Sequence, residues 1–189
     1  MSAITATPTT DSLRVALRWV VSFVGFPLGG LAAMLLVGPV DAPLAAAVGG
    51  LVTGSVLGTA QAVALRADRR TSAAWVGATA LGLAAGLTLG SGLVGFGTVL
   101  PDQVPSSQRG AVSGACVGLA QLVVIRRVGR LAAAWPAYLA GAWALGWTIT
   151  TTVGVQVEDQ FTVFGAAGAV TVAALTSVLP ILLSRSARR

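Results

Sequence analysis

Six stretches of this chain, Trp19–Val37, Ala45–Leu65, Ala73–Val94, Gly110–Ile125, Leu131–Val153 and Val163–Leu183, contain no Asp, Glu, Lys or His. Runs of about 20 largely apolar residues are long enough to cross a bilayer as helices. In lipid each backbone N–H and C=O must be satisfied within its own segment or within a closed barrel, so uninterrupted runs of this kind read as helices. The fourth run is short and is expected to begin earlier, near Ser106. The chain is 55% hydrophobic and 10% charged, against about 25% charged for a soluble domain. The expected fold is therefore an all-α integral membrane protein of six transmembrane helices. Residues 1–12, rich in Thr, Ser and Ala, are expected as a disordered tail, and 13–189 as one transmembrane domain.

A word is written twice in these helices. Gly50-x-x-x-Gly54-x-x-x-Gly58-x-Ala60-Gln61 leads to Arg66, Arg70 and Trp75. Gly110-x-x-x-Gly114-x-x-x-Gly118-x-Ala120-Gln121 leads to Arg126, Arg130 and Trp135. Positions 50–75 and 110–135 share 12 of 26 residues without a gap, which points to internal duplication. Arg14-x-x-x-x-Trp19 repeats the start of the unit, and Gly30, Gly86 and Gly146 each stand eleven residues after a Trp. The sequence thus divides into three helical hairpins, approximately 13–65, 69–126 and 129–184. In the last, Thr176 takes the place of Gln61 and Gln121.

Arginine placement orients the hairpins. Eleven of the twelve basic residues, all arginines, fall at the termini or in the loops joining the second to third and fourth to fifth runs. The other three loops carry Asp41, Asp102, Glu158 and Asp159, with Arg109 as their one basic residue. The positive-inside rule makes the arginine side cytoplasmic, so both termini are inside and the three repeats are parallel. The net charge of +6 records topology and calls for no nucleic acid. Arginine without lysine, in an Ala/Gly/Val-rich chain, points to a high-GC bacterial genome and to multi-pass residence in the cytoplasmic (inner or plasma) membrane.

Gly50, Gly54, Gly58 and Gln61 fall within about 80° of one helix face, as do Gly110, Gly114, Gly118 and Gln121. Small residues at this spacing form grooves in which another backbone approaches closely, the principal source of helix association in lipid. Gln61, Gln121 and Thr176 are expected to form either register-fixing interhelical bonds or a polar ring around a central axis. Trp19, Trp75 and Trp135, with Arg14, Arg70 and Arg130, are expected as interface anchors, their indole N–H groups turned to headgroup water. Pro27 is expected to kink the first run and Pro180 the sixth, while Pro136 should fall in a first helical turn.

The chain has no His and one Cys. No His/Cys metal site, Ser-His or Cys-His nucleophile, or disulfide follows from such a composition. No catalytic residue, metal ligand or cofactor is assigned. The glycines are zipper-spaced inside apolar helices, the wrong setting for a phosphate loop. The expected partners are the lipid bilayer and either another membrane protein or a second copy.

The motif Gly118-Leu119-Ala120-Gln121, with Arg126-Arg127 and Ala134-Trp135, resembles small polytopic bacterial membrane proteins of unknown function that repeat such a hairpin. The resemblance covers roughly residues 45–150 and implies no activity. Two functions are therefore expected from the residues. One is a non-catalytic scaffold or accessory subunit packing through its glycine-rich faces. The alternative is a passive channel or facilitator for a small solute along a pseudo-threefold axis.

Overall fold

The structure, a computed structural model, describes residues 8–96, 103–126, 130–153 and 166–186. Arg127, Arg188, Arg189, Asp102, Glu158, Asp159 and the start of the sixth run at Val163 lie outside these residues. Every element is helical: α1 (Pro8–Val21), a 3-10 turn (Ser22–Val24), α2 (Gly25–Val37), α3 (Pro43–Leu65), α4 (Arg69–Val94), α5 (Gln103–Ile125), α6 (Arg130–Thr152), α7 (Ala166–Thr176) and α8 (Val178–Ser186). No strand occurs among the described residues. Residues 8–12, expected as tail, are already helical.

Five helical segments are long and apolar enough to cross a membrane: Ser12–Val37, Pro43–Leu65, Arg69–Val94, Ser106–Ile125 and Ala166–Leu183. The 23-residue α6 is diluted by Pro136, Tyr138 and four threonines. Two of these segments are composite, and proline is the reason. Pro27 offers no N–H to the carbonyl one turn back, and the chain tightens into the 3-10 turn just before it. Ser22 Oγ covers the carbonyl of Trp19 at 2.6 Å. Pro180 acts likewise: α7 stops at Thr176, four residues before it, and α8 resumes at Val178. Pro136 is not in a first turn. Because α6 starts at Arg130, the proline lies in the second turn, where its ring fits the groove at Gly118.

Each helix packs antiparallel on its successor from α2 to α7, and α7 returns to α1 and the 3-10 turn while α8 rests on α1. The bundle therefore closes into a ring. One end carries Arg14, Arg18, Arg66, Arg69, Arg70 and Arg126. At the other, α2 and α4 end at Gly38 (φ 90°) and Gly95 (φ 98°), a backbone conformation that suits residues lacking Cβ. Each helix contributes buried side chains to the interior, including Phe26, Leu57, Leu83, Val117, Leu139 and Val172. Other leucines face outward: Leu35, Leu36, Leu44 and Leu93 are all about three-quarters exposed. Glycines at the helix–helix contacts suit a bundle in lipid, where association rests on close backbone approach.

Candidate functional site

The glycine faces are filled by the neighbouring helix of the same chain. A Cβ added at Gly50, Gly54 or Gly58 would lie 2.6 Å from Ala84 Cα, 2.5 Å from Ala80 Cα or 2.9 Å from Val76 Cα. At Gly110, Gly114 and Gly118 it would meet Trp147 Cδ1 at 2.5 Å, the Leu139 carbonyl oxygen at 2.5 Å and Pro136 Cα at 2.6 Å. Steps of four residues forward on one helix meet steps of about four back on the next, the register of antiparallel ridges in grooves. The opposite face of α4 repeats the device, with Gly82 against Val117 and Gly86 against Ser113.

In the first hairpin the close approach is made by Gly29, which sits on Thr53, and by Gly25 on Leu57. Gly30, the residue matching Gly86 by count from the Trp, lines a cavity instead. The 3-10 turn explains the slip. Three residues at 3.0 per turn advance the helix face by about 60° beyond an α-helix, which moves the contact back one residue.

The three tryptophans are not turned to headgroups. Trp19, Trp75 and Trp135 are 1%, 1% and 3% exposed, and each indole N–H is spent inside the bundle. Trp75 Nε1 donates to Gln61 Oε1 at 3.0 Å, Trp135 Nε1 to Gln121 Oε1 at 3.0 Å, and Trp19 Nε1 to Thr176 Oγ1 at 2.9 Å. The expectation that the N–H would point to water is corrected: for Trp75 and Trp135 fourteen residues carry the chain from one hairpin to the next, and the indole reaches the amide on the facing helix. Arg14 and Arg70 are exposed at the same end; Arg130 heads α6, and its side chain lies outside the described ones.

Gln61, Gln121 and Thr176 do surround one small central space, about 10 Å³ in volume, walled also by Trp19, Trp135 and Val117. Most of its polar groups are engaged, the Gln61 amide NH2 being the exception. Gln121 Nε2 donates to Thr79 Oγ1 at 3.0 Å, and Thr176 Oγ1 donates to the Val172 carbonyl at 2.7 Å. Trp19 and Trp75 meet edge to face with centroids 6.1 Å apart, and Phe26 lies 5.3 Å from Trp143 across the axis.

Two features were not legible as site residues. Thr79 carries no signal beyond its type, since only the neighbouring helix reveals its role. Arg109 counts with the loop charges by composition, although a span starting near Ser106 already encloses it; α5 begins at Gln103, and the residue is 7% exposed. Sparse hydropathy over Gln103–Gln108 hid the extra turns. Arg109 borders a cavity of about 80 Å³ with Ser91, Thr53, Phe26, Trp143 and Trp147. Among the described residues no group of three His, Cys, Asp or Glu stands close enough to hold a metal.

No family profile matches the chain, and neither a curated protein nor a solved structure resembles it significantly. The resemblance to repeated-hairpin membrane proteins therefore rests on its motif residues alone.

Proposed function

We propose that the protein is a non-catalytic integral membrane scaffold or accessory subunit. In this reading it has six spans arranged as three parallel hairpins, with the arginine end and both termini cytoplasmic. The supporting observation is the indole belt. Trp19, Trp75 and Trp135 fill the centre of the ring at one level, and their N–H groups occupy the polar atoms that a passage would need. A conduit keeps its polar lining free to exchange with the solute. Here most of the lining is spent on the bundle itself, and the layer of Phe26, Leu57, Val117 and Trp143 is apolar.

The glycine grooves are likewise filled from within the chain. Contact with a partner therefore falls to the outward face, where Leu119 is 57% exposed and Leu145 46%. Two measurements test the reading. Photocrosslinkers at Leu119 and Leu145 in native membranes should yield one discrete adduct, with a partner or a second copy. Proteoliposomes should show no flux of glycerol, urea or chloride above empty vesicles. Absence of any adduct together with a flux removed by Gln121→Leu would overturn the scaffold in favour of the facilitator.

A further inference from the structure

Arg109 is a guanidinium enclosed within a membrane-spanning helix, about 9 Å along α5 from its start. Its Nε is buried without a hydrogen-bond partner, and no carboxylate among the described residues pairs with it. Arginine stays charged in proteins, and an uncompensated charge in an apolar interior is heavily unfavourable. Intramembrane charged residues are kept where they meet an ion, a substrate or a water-filled space.

Two hydroxyls nearby are in the same condition. Ser91 on α4 and Ser113, one turn beyond Arg109 on α5, are fully buried with unpartnered Oγ atoms. They forgo the bond to their own helix carbonyl that Thr88, Thr148 and Thr171 all make. Arg109 is held against α4, its Cγ 3.2 Å from where a Cβ on Gly90 would stand. With no side chain at Gly90, the arginine stem fits beside Ser91.

Arg109 and Ser91 share the wall of the 80 Å³ cavity. The rest of that wall is mostly apolar: Phe26, Leu87, Trp143 and Trp147, with Gly30 leaving room at the side. Thr53 Oγ1 is already committed to the Gly29 carbonyl at 3.1 Å. The cavity reaches Gly38 and Val40 at the arginine-poor end, the side from which a ligand would enter. A space of this size holds a few water-sized groups.

We infer that this cavity binds a short monocarboxylate, its two oxygens on the Arg109 guanidinium and the Ser91 hydroxyl, its alkyl end among Phe26, Trp143 and Trp147. The planar fork of arginine matches a carboxylate in two parallel bonds, which a spherical halide cannot reproduce. The apolar walls accept a methyl or ethyl group and disfavour a second charge. Binding neutralises the buried cation and engages an orphan hydroxyl in one step.

The test uses the full chain in nanodiscs of uncharged lipid, titrated with sodium formate, acetate and propionate at constant ionic strength. Calorimetry and thermal unfolding are read together. A saturable rise in Tm with matching heat is expected for acetate and propionate in the wild type. Arg109→Gln should abolish it, Arg109→Lys should weaken it by losing the fork, and Ser91→Ala should weaken it about tenfold, the loss of one hydrogen bond to a charged group. No saturable response in the wild type, or an undiminished one in Arg109→Gln, overturns the site. If Arg109→Gln does not fold, an unchanged affinity in Ser91→Ala overturns it. An equal response to chloride overturns the carboxylate assignment.

Discussion

Thr79 on α4 receives a hydrogen bond from Gln121 on α5 at 3.0 Å, while the other end of the same amide accepts the Trp135 indole N–H. Gln121 thus ties three helices together at one level. Gln61 does less. It is half-buried, accepts only from Trp75, and faces a first span that carries Phe23 where α4 carries Thr79.

The two amides should therefore differ on replacement. Gln121→Leu strands a buried indole N–H donor and the buried Thr79 hydroxyl oxygen that accepts from the amide, a loss of about 1–3 kcal/mol where a buried donor or acceptor goes unsatisfied. Gln61→Leu should lose about 0.6 kcal/mol, the average for a hydrogen bond between membrane helices. Thermal or denaturant unfolding in detergent measures both. Equal losses would contradict the asymmetry.

Gly54→Ala and Gly114→Ala should destabilise strongly, because the new Cβ would sit 2.5 Å from Ala80 Cα or from the Leu139 carbonyl oxygen, and backbone must move to admit it. Gly77→Ala and Gly141→Ala provide the contrast. Nothing lies within 4 Å of a Cβ at either position, and helix propensity favours alanine by up to about 1 kcal/mol. Expression level and Tm of the four variants, compared side by side, check the packing directly.

Trp19→Phe and Thr176→Val each remove the bond that joins the first span to the last. Each should cost about 1–3 kcal/mol, since the abandoned partner stays buried. The double variant should lose less than the sum, and the double-mutant cycle gives the coupling.

Asp68 caps α4, accepting from the Arg70 and Thr71 backbone N–H groups at 3.0 and 3.1 Å and from the Thr71 hydroxyl. These bonds hold its carboxyl below its ordinary value of 3.8, the Thr71 hydroxyl foremost. A depressed folded value means stability that is present above 3.8 and lost as pH falls through the lower folded value. Asp68→Asn should keep a cap while flattening this acid-side slope. Unfolding measured between pH 2 and 5 reads the difference.

Orientation is checked by single cysteines. Those at Asp68 and Val128 should react with an impermeant reagent only from the cytoplasm, and those at Asp102 and Glu158 only from outside. Reaction of Asp68 and Asp102 positions from the same side would refute the topology.

Helical class and most span limits were legible because apolar run length maps directly onto bilayer thickness. The composite first and last spans were legible in part, since Pro27 and Pro180 announce a break but not its form. Pro27 does not say that Ser22–Val24 tightens to a 3-10 turn, which shifts the contact from Gly30 to Gly29. The polar residues were visible as groups needing partners, whereas their partners stand on other helices. Trp75 and Trp135 sit near arginines at a helix start, where composition suggests water and packing supplies an amide. Arg109 was hidden for the opposite reason. One charge beside an apolar run marks a boundary by hydropathy, and only α4 and α6 enclose it.

The ring closure carries a consequence for biogenesis. Trp19 finds its acceptor on Thr176, 157 residues later, so a chain emerging vectorially from the ribosome holds its first helix in lipid with an unmet N–H until the last has inserted. The two other indole–amide pairs each join one hairpin to the next across only fourteen residues, and they form as soon as the following helix emerges. Intermediates lacking the final span would be open arcs with one unsealed edge, the form a membrane protease or chaperone distinguishes from the finished protein.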